Sequence, residues 1–296
     1  MSERRTTRQE DGWQYAVMLL PAVAVLVVLI LVPLCYLAYT SLLEWKLTDP
    51  AGRTFVGGAN YLRMLRDTDF WHALRVTAVF ICGSVGMQIG LGLILVEALA
   101  ALRWGATLIR TSLLLPMVIP PLVVGLIWRI LYDPTAGLAN YLLGFVGLSH
   151  PWLAAYRTAL GAVIMTDVWE WTPFVLLILL ASYAGIPQSV HEAADVDGAT
   201  RWERFRFVTL PLIRPMLVTV AILRMIDVIR EFAKIFVTTG GGPGTTTETV
   251  NMFTYRQGFV YGDMGYAATL GVFMFLTILT LTIGLVRLER RLAEAA

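Results

Sequence analysis

The sequence predicts an all-α integral membrane protein with about six transmembrane helices. Its 296 residues are 57% hydrophobic and only 15% charged, whereas a soluble domain is nearer to about 45–50% apolar and about 25% charged. The mean hydropathy is +0.69. Long apolar runs recur along the chain, and about 20 apolar residues suffice to cross the hydrocarbon core as a helix. Lipid offers no hydrogen-bond partners to the backbone, so each run should be helical.

Six runs are long enough to span the membrane. They cover residues 15–41, 73–99, 107–132, 158–185, 212–237 and 266–288. The first run exceeds the core of a signal peptide, which is about 7–15 residues long, and this favours an uncleaved first span. No internal repeat or low-complexity segment interrupts the series, so we expect one domain over residues 1–296.

Two of these spans carry residues that are unusual for a helix facing lipid. The second contains Gly83, Gly86 and Gly90, and small residues at helical spacing permit close approach of another helix. The third contains a proline cluster at 116–121. Each proline removes a backbone donor, and such a break is tolerated in a membrane where protein or a water-filled cavity satisfies the freed carbonyls.

Charge sets the expected orientation and excludes some partners. An even number of spans places both termini on one side, and that side carries the larger share of Lys and Arg, so both termini should be cytoplasmic. A net charge of +2 gives no reason to expect nucleic acid. Cys35 and Cys82 lie in apolar runs and are expected to be small buried hydrophobes without a disulfide. The three histidines lack metal-ligand spacing, so no metal site is predicted.

The loop between the fourth and fifth spans, residues 186–211, is polar but patterned. Ser189 followed by Glu192 three residues later indicates a capping box at a helix start. Gly198 can adopt a positive φ and end that helix. A second short helix is expected from Thr200 to Val208, and Pro211 marks the return to the membrane. The pattern predicts a helix-turn-helix between two spans.

At these residues the chain resembles the ABC importer permeases of bacteria. Their signature loop reads E-A-A-x-x-x-G, then nine residues, an aliphatic residue and x-L-P. The matching residues here are Glu192, Ala193, Ala194, Asp197, Gly198, Ala199, Val208, Leu210 and Pro211. Further stretches, at 55–61, 70–71, 125–137 and 239–243, are similar to the maltose-type carbohydrate permeases, so the resemblance covers nearly the whole chain.

The resemblance implies a function and a set of partners. The chain would be the permease subunit of an ATP-driven importer for a sugar, polyol or sugar derivative in the bacterial inner membrane. Its loop would be a cytoplasmic coupling helix-turn-helix that docks on an ATPase subunit. The implied assembly adds a second homologous permease, two ATPase subunits that bind ATP and Mg, and an extracytoplasmic solute-binding protein. The permease itself would bind no cofactor.

Charged residues inside two spans are the second informative feature. Asp167, Glu170, Trp171 and Phe174 share one face of the fourth span. The fifth span carries five charges, which cannot all face lipid at about 2.5–3.5 kcal/mol each. They are Arg224, Asp227, Arg230, Glu231 and Lys234.

These charges admit two interpretations. They can be ion pairs within the helix, such as Asp227 with Arg224 or Arg230, and Glu231 with Lys234. They can also line a polar, aromatic-walled solute path, which the resemblance assigns to these two helices, and the cations leave room for an anionic sugar derivative. The predicted path residues are Asp167, Trp171, Phe174, Arg224, Asp227 and Glu231.

Two other functional classes remain as alternatives. No G-x-x-x-x-G-K-[ST] loop occurs in the sequence, so the chain is not expected to be an ATPase or another enzyme by itself. An ion-coupled secondary transporter could use Asp227 and Glu231 as a relay, but it leaves the loop at 186–211 unexplained. A membrane enzyme that uses Asp167 and Glu170 lacks any supporting motif.

Overall fold

A computed structural model describes residues 3–100 and 106–294, and most of them are helical. The helices before residue 150 are α1 (Glu3–Ser41), α2 (Ala59–Arg66), α3 (Thr68–Ala100), α4 (Ala106–Leu114), α5 (Pro121–Leu131) and α6 (Leu138–Gly144). Those after it are α7 (Ala159–Ala184), α8 (Gln188–Val196), α9 (Arg201–Arg204), α10 (Leu210–Ile229), α11 (Ala233–Thr238), α12 (Val250–Tyr255) and α13 (Met264–Glu294). Two short strands, β1 (Leu43–Lys46) and β2 (Asp49–Phe55), pair antiparallel.

Four helices are long and apolar enough to cross a membrane. They are Val17–Ser41 within α1, all of α3, all of α7, and Met264–Leu288 within α13. A fifth span exists if α4 and α5, which meet at a 102° bend, are counted together. The chain is therefore a helical membrane protein, and length and composition support four or five of the six predicted spans.

The bend in the third predicted span follows from its prolines. A short 3-10 turn, Pro116–Val118, ends at Ile119, which is extended with φ −77° and ψ 131°. Pro120 is also extended before α5 begins at Pro121. A residue that precedes proline is disfavoured in the helical region, so the sequence Ile119-Pro120-Pro121 stops one helix and starts another.

The fifth predicted span, 212–237, is likewise two helices. The first, α10, ends at Ile229, and the second, α11, begins at Ala233. Across the break, the Glu231 carboxylate accepts a hydrogen bond of 2.9 Å from the backbone N–H of Lys234. The break therefore brings charged side chains from both helices to one place.

Two compact units are defined by their internal contacts. The first unit, residues 1–66 with 254–273, contains the β-hairpin. There the buried Asn60 side chain donates to the carbonyls of Ser41 and Leu43, at 3.0 and 2.9 Å. This amide fixes the turn from α1 into β1. The sequence analysis predicted only helices, and the hairpin was missed because β2 contains Pro50 and Gly52, which strands usually avoid.

The second unit, residues 67–253 with 274–296, is centred on α3, α7 and α10. Gly83 allows α3 to approach Ile164 of α7, as predicted, but Gly86 and Gly90 have no close neighbour among the described residues. Gly92 makes the other close approach, to Val175. An apolar cluster holds the same helices together: Val96, Leu99, Val175, Leu176, Leu179 and Val220.

The cysteine prediction is wrong in one respect. Cys35 and Cys82 are free, as expected, but both are exposed on this chain rather than buried. They lie within α1 and α3, which are long and apolar enough to cross a membrane, so these side chains can face lipid. Small hydrophobic residues in a spanning helix need no protein core around them.

We expect the Asn60→Ala variant to lower the stability of the first unit by about 1–3 kcal/mol, because the carbonyls of Ser41, at the end of α1, and Leu43, at the start of β1, each lose a hydrogen bond. Thermal unfolding of the purified chain in detergent measures the effect. Leu62→Ala is the matched control, since Leu62 lies two residues away and is exposed. Equal melting temperatures for the two variants would contradict the role given to Asn60.

Candidate functional site: a helical loop and a buried charge cluster

The loop at 186–211 ends its first helix in a tight turn at Gly198. Gly198 has a φ of +75°. Its N–H donates to the Asp195 carbonyl at 3.2 Å, and the Ala199 N–H donates to the Ala194 carbonyl at 3.0 Å. This is a Schellman motif, which requires a left-handed residue after the helix end, a position that glycine occupies without strain. The role predicted for Gly198 as the turn residue is thus seen in the backbone.

The capping box lies at the second helix of the loop, not at the first. The helix α8 has Pro187 as its N-cap and no side-chain cap, and Glu192 instead accepts from the Gln188 side chain at 2.8 Å. Thr200 and Glu203 cap α9 reciprocally. Hydrogen bonds from the Thr200 side chain and backbone hold the pKa of Glu203 below its usual range, so the carboxylate that forms the cap is ionised at neutral pH.

The second helix of the loop continues directly into the long helix that follows it. The predicted helix Thr200–Val208 is in fact α9 followed by a π-helical turn, Phe205–Thr209. Leu210 then begins α10 directly, with Pro211 in its first turn. An ion pair of 2.7 Å between Asp195 and Arg204 ties α8 to α9. The loop and α10 therefore share one helical backbone without an unstructured linker.

The surface of the loop is partly apolar and largely exposed. Glu192, Ala193, Asp197 and Gly198 are exposed, whereas Ala194 is buried against the chain. The side chains of Val196 and Trp202 are 87% and 63% exposed. A protruding turn that shows both charge and large apolar side chains is suited to contact another protein.

Lys234 is the centre of a buried charge cluster. Its ammonium lies 2.6 Å from Asp167 Oδ1, 2.6 Å from Glu170 Oε2 and 2.9 Å from Glu231 Oε2. The Lys234 side chain is completely buried. Two of these carboxylates belong to α7 and the third to the break before α11, so one cation holds both helices together.

Arg224 forms the second half of the cluster. Its Nη2 is 3.3 Å from Asp167 Oδ2, and its Nε donates to Gln88 Oε1 at 2.9 Å. Gln88, on α3, donates in turn to Asp167 Oδ2 at 2.8 Å. The guanidinium also lies 4.5 Å from the centre of the Trp171 ring, within the range of a cation–π contact. Three helices, α3, α7 and α10, thus meet through hydrogen-bonded charges.

One edge of the cluster opens into a cavity of about 430 Å³. Asp227, which is 38% exposed, pairs with Arg224 at 3.4 Å and with Arg230 at 2.8 Å. Arg230 is 61% exposed. The cavity is lined by Pro121, Asp167, Trp171, Arg224, Asp227, Arg230, Glu231, Phe232 and Ala233. Its volume is in the range of small-molecule sites, about 300–1,000 Å³.

The structure brings together five of the six predicted path residues. Asp167, Trp171, Arg224, Asp227 and Glu231 all line this cavity. Phe174 does not line it. Its ring meets Trp171 at 6.1 Å between centroids and packs against the apolar cluster of α3 and α7. Phe174 follows Trp171 by about one helical turn on α7 and therefore lies outside the cavity.

Gln88 was not predicted as a member of this site, and Lys234 and Glu170 were named among the charges of the spans but not among the path residues. Gln88 is fully buried in the cluster, and the available signal was a polar residue within an apolar stretch of α3. Lys234 was expected to pair with Glu231, and it does, but it also pairs with Asp167 and Glu170. Glu170 was noted on the same face of α7, yet only the folded chain shows that it meets Lys234.

Comparison with known proteins assigns the family. Residues 88–294 match the profile of the family described as "Binding-protein-dependent transport system inner membrane component". The chain belongs to this family. The resemblance drawn from the residues of the loop is thereby confirmed, and the matched region contains the loop, the charge cluster and α13.

Similar proteins from several organisms carry transport names. The chain is 36% identical to "Trehalose/maltose transport system permease protein MalF" of Thermococcus litoralis, over 92% of each chain. It is 35% identical to "Sulfoquinovosyl glycerol transport system permease protein SmoG" of Agrobacterium fabrum, over 93% of this chain and 90% of the relative. These matches give no support to an ion-coupled transporter.

A solved structure shares the fold. A chain of the bacterial ABC transporter involved in the import of the acidic polysaccharide alginate superposes with a TM-score of 0.82 at 20% identity. The match covers 97% of this chain and 99% of the other. The fold is thus one that a chain of a known importer also adopts.

We expect the Lys234→Met variant to be destabilised by about 3–5 kcal/mol, because three buried carboxylates lose their shared cation. Thermal unfolding of the assembled transporter, together with the yield of folded protein, measures the loss. A partial recovery in the Lys234→Met, Glu170→Gln double variant is expected, since one uncompensated charge is then removed.

The control for this variant is Arg230→Met, which removes the same charge from an exposed position. Exposed ion pairs contribute about 0–1 kcal/mol, so Arg230→Met should unfold close to the wild-type temperature. If the two variants lose stability equally, the cluster does not hold α7 and α11 together in the way described.

Proposed function

We propose that the chain is the permease subunit of an ATP-driven importer and forms half of the path for a sugar, polyol or sugar derivative. The family assignment is the observation that carries the proposal. The names of the relatives, which include trehalose, maltose and sulfoquinovosyl glycerol transport, support a sugar-like solute. The cavity bounded by Trp171 and carboxylates suits such a solute, because an aromatic ring covers an apolar sugar face and carboxylates accept from hydroxyls.

The loop at 186–211 would be the site of energy coupling. Its exposed face, from Glu192 to Gly198, docks on a separate ATPase subunit, which holds ATP and Mg. The continuity of α9 with α10 supports this role, because a displacement of the loop moves a helix that carries Arg224 and Asp227. ATP binding on the partner favours one arrangement of the helices and so shifts the permease toward it.

The proposed permease function implies a topology and a set of partners. The chain spans the bacterial inner membrane six times, with α10 and α11 together as the fifth span, and both termini are cytoplasmic. A second homologous permease completes the path, and two ATPase subunits and an extracytoplasmic solute-binding protein complete the importer. A solved relative, the "bacterial alginate ABC transporter in complex with alginate pentasaccharide-bound periplasmic protein", supports the last of these partners. We propose that the chain has no ATPase site, metal site or catalytic residue of its own, because the sequence lacks a G-x-x-x-x-G-K-[ST] loop and no group of three or more His, Cys, Asp or Glu side chains suited to a metal occurs among the described residues.

We expect Gly198→Pro to abolish ATP-driven uptake while the protein still inserts and assembles. Proline cannot adopt the positive φ at this position and lacks the N–H that donates to Asp195. Uptake of radiolabelled solute into proteoliposomes measures the loss. Gly198→Asn is the matched control, because asparagine tolerates the left-handed conformation, and it should retain most of the uptake.

Glu192→Lys tests the charge of the docking face. The side chain is exposed and bonds only to Gln188 among the described residues, so fold stability should be unchanged while ATP-driven uptake is lost. Glu192→Gln keeps the side-chain length without adding a positive charge, and it should lose less of the ATP-driven uptake. Normal uptake by both Gly198→Pro and Glu192→Lys would contradict docking through this loop.

The solute path is tested by Trp171→Ala, which removes the aromatic wall of the cavity. We expect uptake to fall by about two- to tenfold, since an aromatic contact contributes about 0.5–1.5 kcal/mol beyond area burial, and about 1.4 kcal/mol corresponds to a factor of ten. Complex assembly should survive. Trp169→Ala is the control, because Trp169 faces Trp128 on the other side of α7. Unchanged uptake kinetics in Trp171→Ala would show that the solute passes elsewhere.

A further inference from the structure

A second cavity, of about 770 Å³, lies where α3 and α7 end beside α9. The apolar stretch of α3 that is long enough to cross a membrane ends at Ala100, and that of α7 ends at Ala184. Ala100 and Tyr183 both line the cavity. Since two spans end here together, this end of the cavity lies at the depth of the lipid headgroups.

One wall of the cavity is an apolar groove that runs along α3 into the membrane. Gly90, Leu93, Ile94 and Ala98 line it at helical spacing, on one face of the helix. Ile94 is 65% exposed, and a Cβ added at Gly90 would meet no atom within 4 Å. From Ala100 to Gly90 the wall is about 15 Å long. An apolar groove of this length and direction fits an acyl chain.

Glu97 places a carboxylate in this wall, about one turn before the end of α3. It forms no ion pair among the described residues, and its Oε1 is buried there without a hydrogen-bond partner. The charge of Arg204 acts on Glu97 from nearby, but that guanidinium is bonded to Asp195 at 2.7 Å. His191 is not a donor to Glu97 either, because neither of its ring nitrogens has a hydrogen-bond partner among those residues. A carboxylate in apolar surroundings needs a donor, and a cation suits it best.

At the same end of the cavity, α9 supplies cations. Arg201 and Arg204 line the cavity at i, i+3 spacing. Arg201 is exposed, and no ion pair is formed by it within the described part of the chain. Trp202, which is 63% exposed, lies between them in the sequence, and tryptophan is enriched at the level of the headgroups. A guanidinium in this position is suited to bind a phosphate.

The charges around this end of the cavity balance one another. Glu97 and Asp195 offset Arg201 and Arg204, so a headgroup that carries both a phosphate and an ammonium matches them better than an anionic one does. The ammonium must also have N–H donors, because Glu97 lacks a hydrogen bond. A primary ammonium has three such donors, whereas a trimethylated one has none.

We propose that this cavity binds phosphatidylethanolamine, with its phosphate at Arg201, its ammonium at Glu97 and one acyl chain in the groove from Ala98 to Gly90. The bound lipid joins α9 to the ends of α3 and α7. The inference goes beyond the proposed function and needs only that α3 and α7 span the membrane. Its failure would leave the importer function intact.

Native mass spectrometry of the assembled transporter in detergent tests the proposal. The probes are phosphatidylethanolamine, phosphatidylcholine and phosphatidylglycerol with identical acyl chains, each titrated separately. Phosphatidylcholine keeps the phosphate and the positive charge but has no N–H, and phosphatidylglycerol has no ammonium. We expect phosphatidylethanolamine to bind about five- to tenfold more tightly than either of the others, because it alone supplies a charged donor to Glu97.

Two variants separate the parts of the headgroup. Glu97→Gln should bring the ratio of phosphatidylethanolamine to phosphatidylcholine binding close to one. Arg201→Gln, at an exposed position where the fold is not at risk, should weaken both lipids about equally and keep their ratio. The matched controls are Asp69→Asn, at the other end of α3, and Arg206→Gln, which is also in the loop. Both residues are exposed and lie outside the cavity, so the controls should bind as the wild type does.

Four results would overturn the proposal. Equal binding of phosphatidylethanolamine and phosphatidylcholine to the wild type is one, and an unchanged ratio in Glu97→Gln is another. Tighter binding of phosphatidylglycerol would show that the cavity selects an anionic headgroup. If the permease chain alone binds phosphatidylethanolamine and the assembled transporter does not, the ATPase subunit covers the cavity in place of a lipid.

Discussion

The shared ion pair of Lys234 with Asp167, Glu170 and Glu231 is the interaction on which the membrane part of this protein depends. A cation and three carboxylates within 2.6 to 2.9 Å are placed where water is scarce. Each charge alone would cost several kcal/mol there. Because they compensate one another, α7 and α11 are held together, and the helix can break at 230–232 while its charged side chains stay paired. The cavity exists at that break.

The cluster and the loop are linked through a single helix. Arg224 and Asp227 lie near the end of α10, and the loop precedes its beginning, with the π-helical turn between. A movement imposed on α9 therefore reaches the cavity along a continuous backbone, whereas a flexible linker would dissipate it. The same geometry explains why the loop needs Gly198: the turn must be tight enough to place α8 against α9 and to keep Asp195 in reach of Arg204.

Most of the architecture could be predicted from sequence, because membrane helices follow from length and apolar content alone. The outline of the loop could be predicted, since Gly198 favours a turn with positive φ and Pro211 favours the first turn of a helix. Its capping box was assigned to the wrong helix because Ser189 and Thr200 both precede a glutamate by three residues, and Pro187 decided the start of α8. Only one partner of Lys234 could be predicted. The i, i+3 spacing indicates Glu231, whereas Asp167 and Glu170 are brought near Lys234 only by the packing of α7. The place of Gln88 in the cluster could not be predicted for the same reason, since its partners Asp167 and Arg224 are distant in the sequence.

The loop, in the proposed function, is a cytoplasmic surface that an ATPase subunit covers. Val196, at 87% exposure the most open large apolar side chain of the loop, can be replaced by cysteine after Cys35 and Cys82 are changed to serine. The measurement is the rate of labelling by a membrane-impermeant maleimide in oriented vesicles. We expect labelling only from the cytoplasmic side, and protection once the ATPase subunit is assembled. Labelling from the outside, or an equal rate with and without that subunit, would contradict it.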